Sequence, residues 1–353
     1  MTMKKVLYVG HLRNRSYGDQ VAFTVFRDFI KKHYSNKIEL HTKDIKASKT
    51  YNIVNGNYDF YLLGGGTCIS DLMRPYADRI LHHFYNSKCR YGILGAGVYS
   101  ESRRDQKIVC ERTIKSIQHT RDFIIGAKYV GVRDKASKEY LDNIGCGDNI
   151  NVMYDPCLAI EYPKVDLNLD ITKPTIGMNI CLNNKVCLGT ISYDQNKLFK
   201  AMEEFVKAIV HKYNVLFIPF NRADSKLANR VKEWGCNIAD WGTPSHIAGV
   251  MQNCDYYVGN RVHGDVTAAA YNIPFVSIGY TEPNINFLKH IDYPYYIDPK
   301  IEHLSFESIK LYFFKIIMDE IQVVSGLKRI TIVAKASYNE NAHKLCEVIL
   351  NET

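Results

Sequence analysis

The sequence runs as short apolar stretches separated by longer amphipathic ones, and this alternation restricts the possible folds more than any other feature. Apolar runs bounded by Gly, Pro, Asn or Asp read as buried strands, and the stretches between them as helices. Strand–helix–strand repetition is the pattern of a parallel sheet covered on both faces, an α/β fold. In the first half, strands are expected at residues 5–9, 38–40, 60–63, 90–94, 129–132 and 150–153. Between the first two, Val21, Ala22, Val25, Phe26, Phe29 and Ile30 recur at three- and four-residue steps, which predicts a helix with one buried face. Asp28, Lys31 and Lys32 fall on the other face, and a second helix is expected over 103–119.

Residues 162–174 break the rhythm with two prolines, two aspartates and no periodicity, and are expected to link two domains. A second α/β series follows, with strands at 175–180, 215–219, 256–259 and 275–278 and helices at 196–213, 224–234 and 264–271. Residues 304–351 read as helical. The expected division is therefore a Rossmann-like domain over 1–165, a second over 175–305, and a helical segment over 306–353. A length of 353 residues suffices for two such domains.

Composition excludes several classes. With 46% hydrophobic and 23% charged residues the chain is a folded one. The net charge of +8 suits anionic ligands, but Lys and Arg are scattered, so nucleic acid is not indicated. Ten cysteines show no CxxC and no zinc-site spacing, so they read as reduced thiols of a cytoplasmic protein, with no metal site. The opening apolar run, Val6 to Val9, is too short for a signal segment, and no run reaches the ~20 residues of a membrane span.

Ligands of doubly wound sheets bind beyond the carboxyl ends of the strands, so the turns there are the first candidates. After the first strand, Gly18 can admit a close backbone approach and the following helix N-terminus can meet an anion. Asp19 also fits a first-turn acid complementing the helix dipole. Gly64, Gly65 and Gly66 directly follow a strand and suit either a loop pressed on a ligand or a tight turn; Gly95 and Gly97 fit a packing role better. Arg133 reads as an anion clamp or as a salt bridge at a domain face, and Asp155-Pro156 as a turn opener. In the second domain a strand ends at Gly259, a short turn carries Arg261 and His263, and a small-residue helix is expected from Gly264. Arg261 and His263 alternate about Val262 and so can face one cleft. An Arg can grip a carboxylate or phosphate, and a His can move a proton near neutral pH.

Taken in order, Gly18-Asp19, Gly64-Gly65-Gly66, Val132-Arg133-Asp134, Asp155-Pro156, Arg261-Val262-His263, Ala268-Ala269-Ala270 and Asn272-Ile273-Pro274 followed by Tyr280 resemble the polysaccharide pyruvyl transferase family over about residues 5–290. The sequence departs from the family pattern at Ser16, where an Asn is usual, and at Pro283, where a Lys is common. The resemblance implies two Rossmann-like domains facing a cleft, GT-B-like, with C-terminal helices that can cross back to the first domain, which is the acceptor side. It implies phosphoenolpyruvate as donor, no resident cofactor, a saccharide acceptor and a pyruvate ketal product. Donor contacts carry over to Asp19, Arg133, Arg261, Val262 and His263, with Gly18, Gly65 and Gly66 lining the substrate site. In that chemistry His263 is the expected general acid, and Asp19 orients the acceptor or acts as a base. Two other readings compete: a nucleotide-sugar glycosyltransferase or epimerase, with Glu282 or Asp265 on a ribose, and an inactive sugar-binding protein. Self-association as a homo-oligomer is compatible with all three.

Overall fold

The computed structural model describes residues 2–12, 17–44, 57–70, 89–99, 111–181, 194–279, 281–298 and 303–351. Tyr280, the first part of the helix expected over 103–119 and the Ser16 position lie outside them. The chain forms two compact units. One comprises Met1–Arg13, Gly18–Pro156 and Ala334–Thr353; the other comprises Asn14–Tyr17 and Cys157–Val333.

The first unit runs β1 (Lys4–Gly10), α1 (Tyr17–His33, whose first residue groups with the second unit), β2 (Ile38–Asp44), β3 (Phe60–Gly64), β4 (Thr67–Ser70), β5 (Tyr91–Tyr99), α2 (Glu111–Gly126), β6 (Tyr129–Val132), α3 (Lys135–Asn143) and β7 (Ile150–Val152). The strands pair in the order β2-β1-β3-β5-β6-β7, with β4 alongside β5, and every pairing is parallel. Apolar side chains on both faces explain why these strands read as continuous hydrophobic runs. The face of α1 expected to be buried is so at Val21, Ala22, Phe26, Phe29 and Ile30, whereas Val25 is half-buried. Strand β4 escaped sequence reading because four residues after a glycine triplet carry no resolvable period.

The second unit runs β8 (Thr175–Asn179), α4 (Gln195–Ile209), β9 (Asn214–Phe217), a 3-10 turn (Asp224–Leu227), α5 (Ala228–Lys232), β10 (Asn237–Ile238), α6 (Pro244–Met251), β11 (Tyr256–Gly259), α7 (Val262–Ala270), β12 (Phe275–Ile278), α8 (Glu282–His290), β13 (Tyr296–Ile297), α9 (Phe306–Met318) and α10 (Glu320–Asn351). Its parallel sheet has the order β10-β9-β8-β11-β12-β13, the mononucleotide-binding arrangement built outward from its first strand. Helix α6 went unread although Thr243 caps its start, accepting from the His246 backbone N–H, and Pro244 takes its first turn. Strands β10 and β13 are two-residue edge strands, below what periodicity can report.

The boundary falls at Pro156/Cys157, earlier than the linker expected over 162–174. That segment is irregular, but it belongs to the second unit. Its backbone is held by α6 and the turn after it: Gln252 donates to the Tyr162 carbonyl at 2.7 Å, Asn253 donates to the Val165 carbonyl at 2.8 Å, and the Val165 N–H donates to the Gly249 carbonyl. Proline and aspartate content signalled the absence of regular structure, not the absence of packing.

The C-terminal helices are as expected in type, but α10 divides between the units at Ala334. Toward its start, Thr331 donates to the Ala269 carbonyl of the second unit. Toward its end, Asn341 accepts from Tyr129, and Arg90 donates to the Val348 carbonyl, both in the first unit. Ala342, Leu345, Cys346 and Ile349 are fully buried there. Removing most of one such side chain leaves a cavity, so Leu345→Ala is expected to lower unfolding stability by about 2–5 kcal/mol. Chemical denaturation checks this; a loss below about 1 kcal/mol would mean that the end of α10 does not pack as described.

Candidate functional site

Each sheet reverses its strand order once, and such reversals leave a crevice beyond the strand ends. In the first sheet the reversal lies between β1 and β3, whose carboxyl ends are Gly10 and Gly64. The glycine triplet continues from there into Gly65 and Gly66, both at positive φ (64° and 65°), a backbone state that favours glycine. A methyl group at Gly66 would run into the Asp19 carboxylate, and one at Gly65 would press on Ala22 of α1. Asp19 sits in the first turn of α1 with 8% of its surface exposed, next to Gly18. Thus Gly18, Asp19, Gly65 and Gly66, separate in sequence, share one corner of the first unit.

Arg133, at the end of β6, is buried among the remaining motif residues of this unit. Its NH1 donates to Asp155 Oδ2 at 3.1 Å, its NH2 donates to Thr67 Oγ1 at 3.0 Å, and Asp134 Oδ2 lies 3.9 Å from Nε. The guanidinium lies against Gly97, where a Cβ would come within 2.7 Å of Nε. Asp134 also caps α3, accepting from the Ser137 N–H at 2.7 Å. Gly95, at φ 69°, leaves room for Pro156. Of the two readings open for Arg133, the structure displays the salt bridge, with its charge matched inside the unit.

In the second sheet the reversal lies between β8 and β11. Asn260, fully buried, joins the two strand ends by accepting from the Cys181 N–H at 2.7 Å and donating to the Cys181 carbonyl at 3.1 Å. Arg261 follows as the cap residue of α7, in extended conformation. Its Nε and NH2 donate to the two oxygens of Asp224 at 3.2 and 2.6 Å. Asp224 also accepts from Asn179 Nδ2 and from the Phe220 and Asn221 N–H groups, and is 3% exposed. An oxyanion on Arg261 would therefore have to take the NH1–NH2 edge.

Helix α7 begins at Val262, two residues earlier than expected, so Val262 and His263 occupy its first turn. The relation between Arg261 and His263 is set by a cap and a helical turn and not by strand alternation. His263 is half-buried, and its carbonyl accepts from Thr267 Oγ1 at 2.5 Å. The Tyr17 hydroxyl lies 3.1 Å from the same Thr267 oxygen.

Beneath this turn lies a polar cluster. Asp265 is fully buried; its Oδ2 accepts from Ser277 at 2.6 Å and from Asn284 at 3.1 Å, while Oδ1 has no partner. A carboxylate so enclosed cannot reach a ribose, which removes one residue named for the nucleotide-sugar reading. Burial holds the Asp265 carboxyl well above the usual carboxylate range, against the opposing pull of Ser277 and Asn284. The neighbouring Tyr257 phenol is also raised by burial and then by Asp265 and Asp224, against Arg261. Its hydroxyl fills the space that side chains at Gly259 and Gly264 would need, which gives both motif glycines a packing reason. The sequence reading missed Asp224, Asn260 and Tyr257, whose roles come from strand ends brought together by the sheet.

Among the described residues no cluster of His, Cys, Asp or Glu could hold a metal ion, and no helix is long and apolar enough to cross a membrane. Cys89, Cys146, Cys157, Cys181, Cys236, Cys254 and Cys346 form no disulfide, and burial pushes the Cys236 thiol up to about 12.

A family model described as polysaccharide pyruvyl transferase matches residues 8–282. No curated protein matches the sequence significantly. Solved structures share the fold at low identity. UDP-GlcNAc 2-epimerase from Neisseria meningitidis, bound to UDP-GlcNAc, superposes with a TM-score of 0.61 at 8% identity, over 99% of this chain and 100% of that one. S. aureus MnaA with UDP gives 0.62 at 10%, over 98% and 96%. The glycosyltransferase of kitacinnamycin gives 0.61 at 11%, over 99% and 99%. The fold is therefore α/β of the GT-B-like class.

Two predictions follow from the buried charges. Arg133→Ala would leave Asp155 and Asp134 buried without their cation and is expected to cost about 3–5 kcal/mol of unfolding stability by denaturation; a loss near zero would refute the charge matching. For Asp265, a raised native pKa stabilises the fold fully below the unfolded value of about 3.9, and this contribution is lost as pH rises through the native value. Asp265→Asn removes the titration, so its stability relative to wild type should climb as pH rises above about 4. A difference that is flat or falls over that range contradicts the assignment.

Proposed function

The chain belongs to the polysaccharide pyruvyl transferase family, and from that premise we propose that it transfers pyruvate from phosphoenolpyruvate to a pair of saccharide hydroxyls, forming a cyclic ketal and releasing phosphate. The observation that carries this reading is the ordered set of motif residues inside the matched span, ending in Arg261-Val262-His263 at the strand-order reversal of the second sheet.

The donor chemistry is assigned to the second unit. Phosphoenolpyruvate presents a carboxylate and a phosphate, and Arg261, oriented by Asp224, meets one of them through its NH1–NH2 edge. The first turn of α7 adds the Val262 and His263 N–H groups, which suit an anion at a helix N-terminus. His263 protonates C3 of the enol as general acid. The first hydroxyl then bonds to C2, and the second displaces phosphate from the same carbon. The two hydroxyl protons replace the one given by His263 and accompany the phosphate, so atoms and charge balance. In the first unit Asp19, between Gly18 and the Gly65-Gly66 turn, is assigned to an acceptor hydroxyl as orienter or base. Arg133 contributes by fixing Thr67 and the strand ends around that turn.

A nucleotide-sugar glycosyltransferase or epimerase is the competing reading, since such proteins share the fold. Thermal shifts with phosphoenolpyruvate and with UDP-sugars separate the two. Phosphate release from phosphoenolpyruvate, measured with a saccharide panel, tests the roles. His263→Ala is expected to lower turnover about 100-fold or more, and Arg261→Lys to weaken apparent donor affinity because a lysine lacks the planar fork. Near-wild-type turnover in His263→Ala would remove the general acid.

A further inference from the structure

Outside the residues assigned so far, the second unit has a cleft of about 810 Å³ lined by Asn221, Arg222, Ala223, Ser225, Lys226 and Trp241. Its volume lies in the range of small-molecule sites. The lining comes from two stretches: the 3-10 turn and the residues leading into it from β9, and the residue that follows β10 by three positions. Both lie past the carboxyl ends of adjacent parallel strands, where α/β sheets bind ligands.

The lining is chemically one-sided. Among the described residues its lining has two cations and no carboxylate. Arg222 and Lys226 are exposed, and neither makes an ion pair among the described residues. The acid between them in sequence, Asp224, turns away: it is 3% exposed and receives the Arg261 guanidinium. The turn thus presents its positive charges outward and neutralises its negative charge inward. Ser225 also lines the cleft; its Oγ is enclosed and has no hydrogen-bond partner among the described residues, so a turn about χ1 would offer it to a ligand. Trp241, half-buried, supplies a flat apolar face. Two cations and a hydroxyl suit a phosphate, and an indole face suits the apolar face of a sugar ring.

We propose that this cleft binds the phosphorylated end of a saccharide, a glycosyl phosphate or diphosphate, with its phosphate on Arg222, Lys226 and Ser225 and its sugar against Trp241. The inference rests on the reading of the protein as a saccharide-modifying transferase. It makes the acceptor an activated, phosphate-bearing sugar and not a free one. Asp224 ties the cleft to the candidate donor site, since its N–H donors belong to the loop that lines the cleft and its cation is Arg261.

The two tryptophans give a direct readout. Trp234 is 6% exposed and packed on Phe199, so a ligand in the cleft reports through Trp241. Fluorescence titrations use hexose 1-phosphates, UDP-hexoses, short-chain prenyl diphosphate hexoses, the free hexoses, UDP alone and inorganic phosphate. The phosphorylated sugars are expected to bind about tenfold or more tightly than free hexoses and than UDP or phosphate alone. Arg222→Ala with Lys226→Ala should weaken them at least about tenfold and flatten the salt dependence, and Trp241→Ala should abolish the signal while calorimetry shows weaker binding. The UDP-linked and prenyl-linked arms identify the carrier.

Binding by no phosphorylated sugar, equal binding of free hexoses, unchanged affinity in the double variant, or UDP alone binding as tightly as UDP-hexose each overturns the proposal. Failure of the underlying reading looks different. Glycosyl phosphates would still bind in the cleft, but phosphoenolpyruvate would release no phosphate with any of them. Conversely, phosphate release onto free hexoses, unaffected by the double variant, would keep the transferase reading and remove the cleft from it.

Discussion

The second unit is organised around one buried carboxylate. Asp224 holds both the Nε and NH2 donors of Arg261, and it also collects the Asn179 amide and two loop N–H groups. These partners come from the ends of β8 and β9 and from the turn after β11. One anion therefore fixes three strand ends to each other at the place where the strand order reverses. A guanidinium held along one edge has a determined plane and a determined second edge, which is the preorganisation a small anion needs. The turn and its arginine are thus parts of one device.

The first unit solves a similar problem with steric fit. Its triplet turn uses two residues at positive φ, and the space left by the missing Cβ of Gly66 is taken by the Asp19 carboxylate. The missing Cβ of Gly97 is taken by the Arg133 guanidinium. Glycine here brings charge close to backbone. Arg133 in turn is balanced by Asp155 and Asp134, so a full charge is carried inside the unit at low exposure. Removing Arg133 would leave two buried carboxylates without this cation.

Much of the architecture was legible because parallel strands buried on both faces print as apolar runs. The strands at Tyr129–Val132, Tyr256–Gly259 and Phe275–Ile278 fall where the sequence put them. The family and its ordered motifs were legible as well, since Gly18-Asp19, the glycine triplet, Arg133-Asp134 and Arg261-Val262-His263 sit at strand ends or helix starts. The partner relations were not. Asp224 precedes Arg261 by 37 residues and looked like the start of an ordinary helix; only the strand order brings the two together. Arg133 and Thr67, 66 residues apart, meet for the same reason. Residues 162–174 looked like a linker because their backbone bonds go to side chains of the turn after α6 and to the Gly249 carbonyl, which no local pattern announces.

The account stands on pyruvyl transfer at a saccharide, and the product reports it most directly. Phosphorylated and free saccharides incubated with the protein and phosphoenolpyruvate are to be followed by mass spectrometry, with phosphate counted in parallel. The account predicts a saccharide heavier by one pyruvate less one water, with one phosphate released per ketal formed. A glycosyl group moved or epimerised from a nucleotide sugar, with phosphoenolpyruvate left intact, would contradict it.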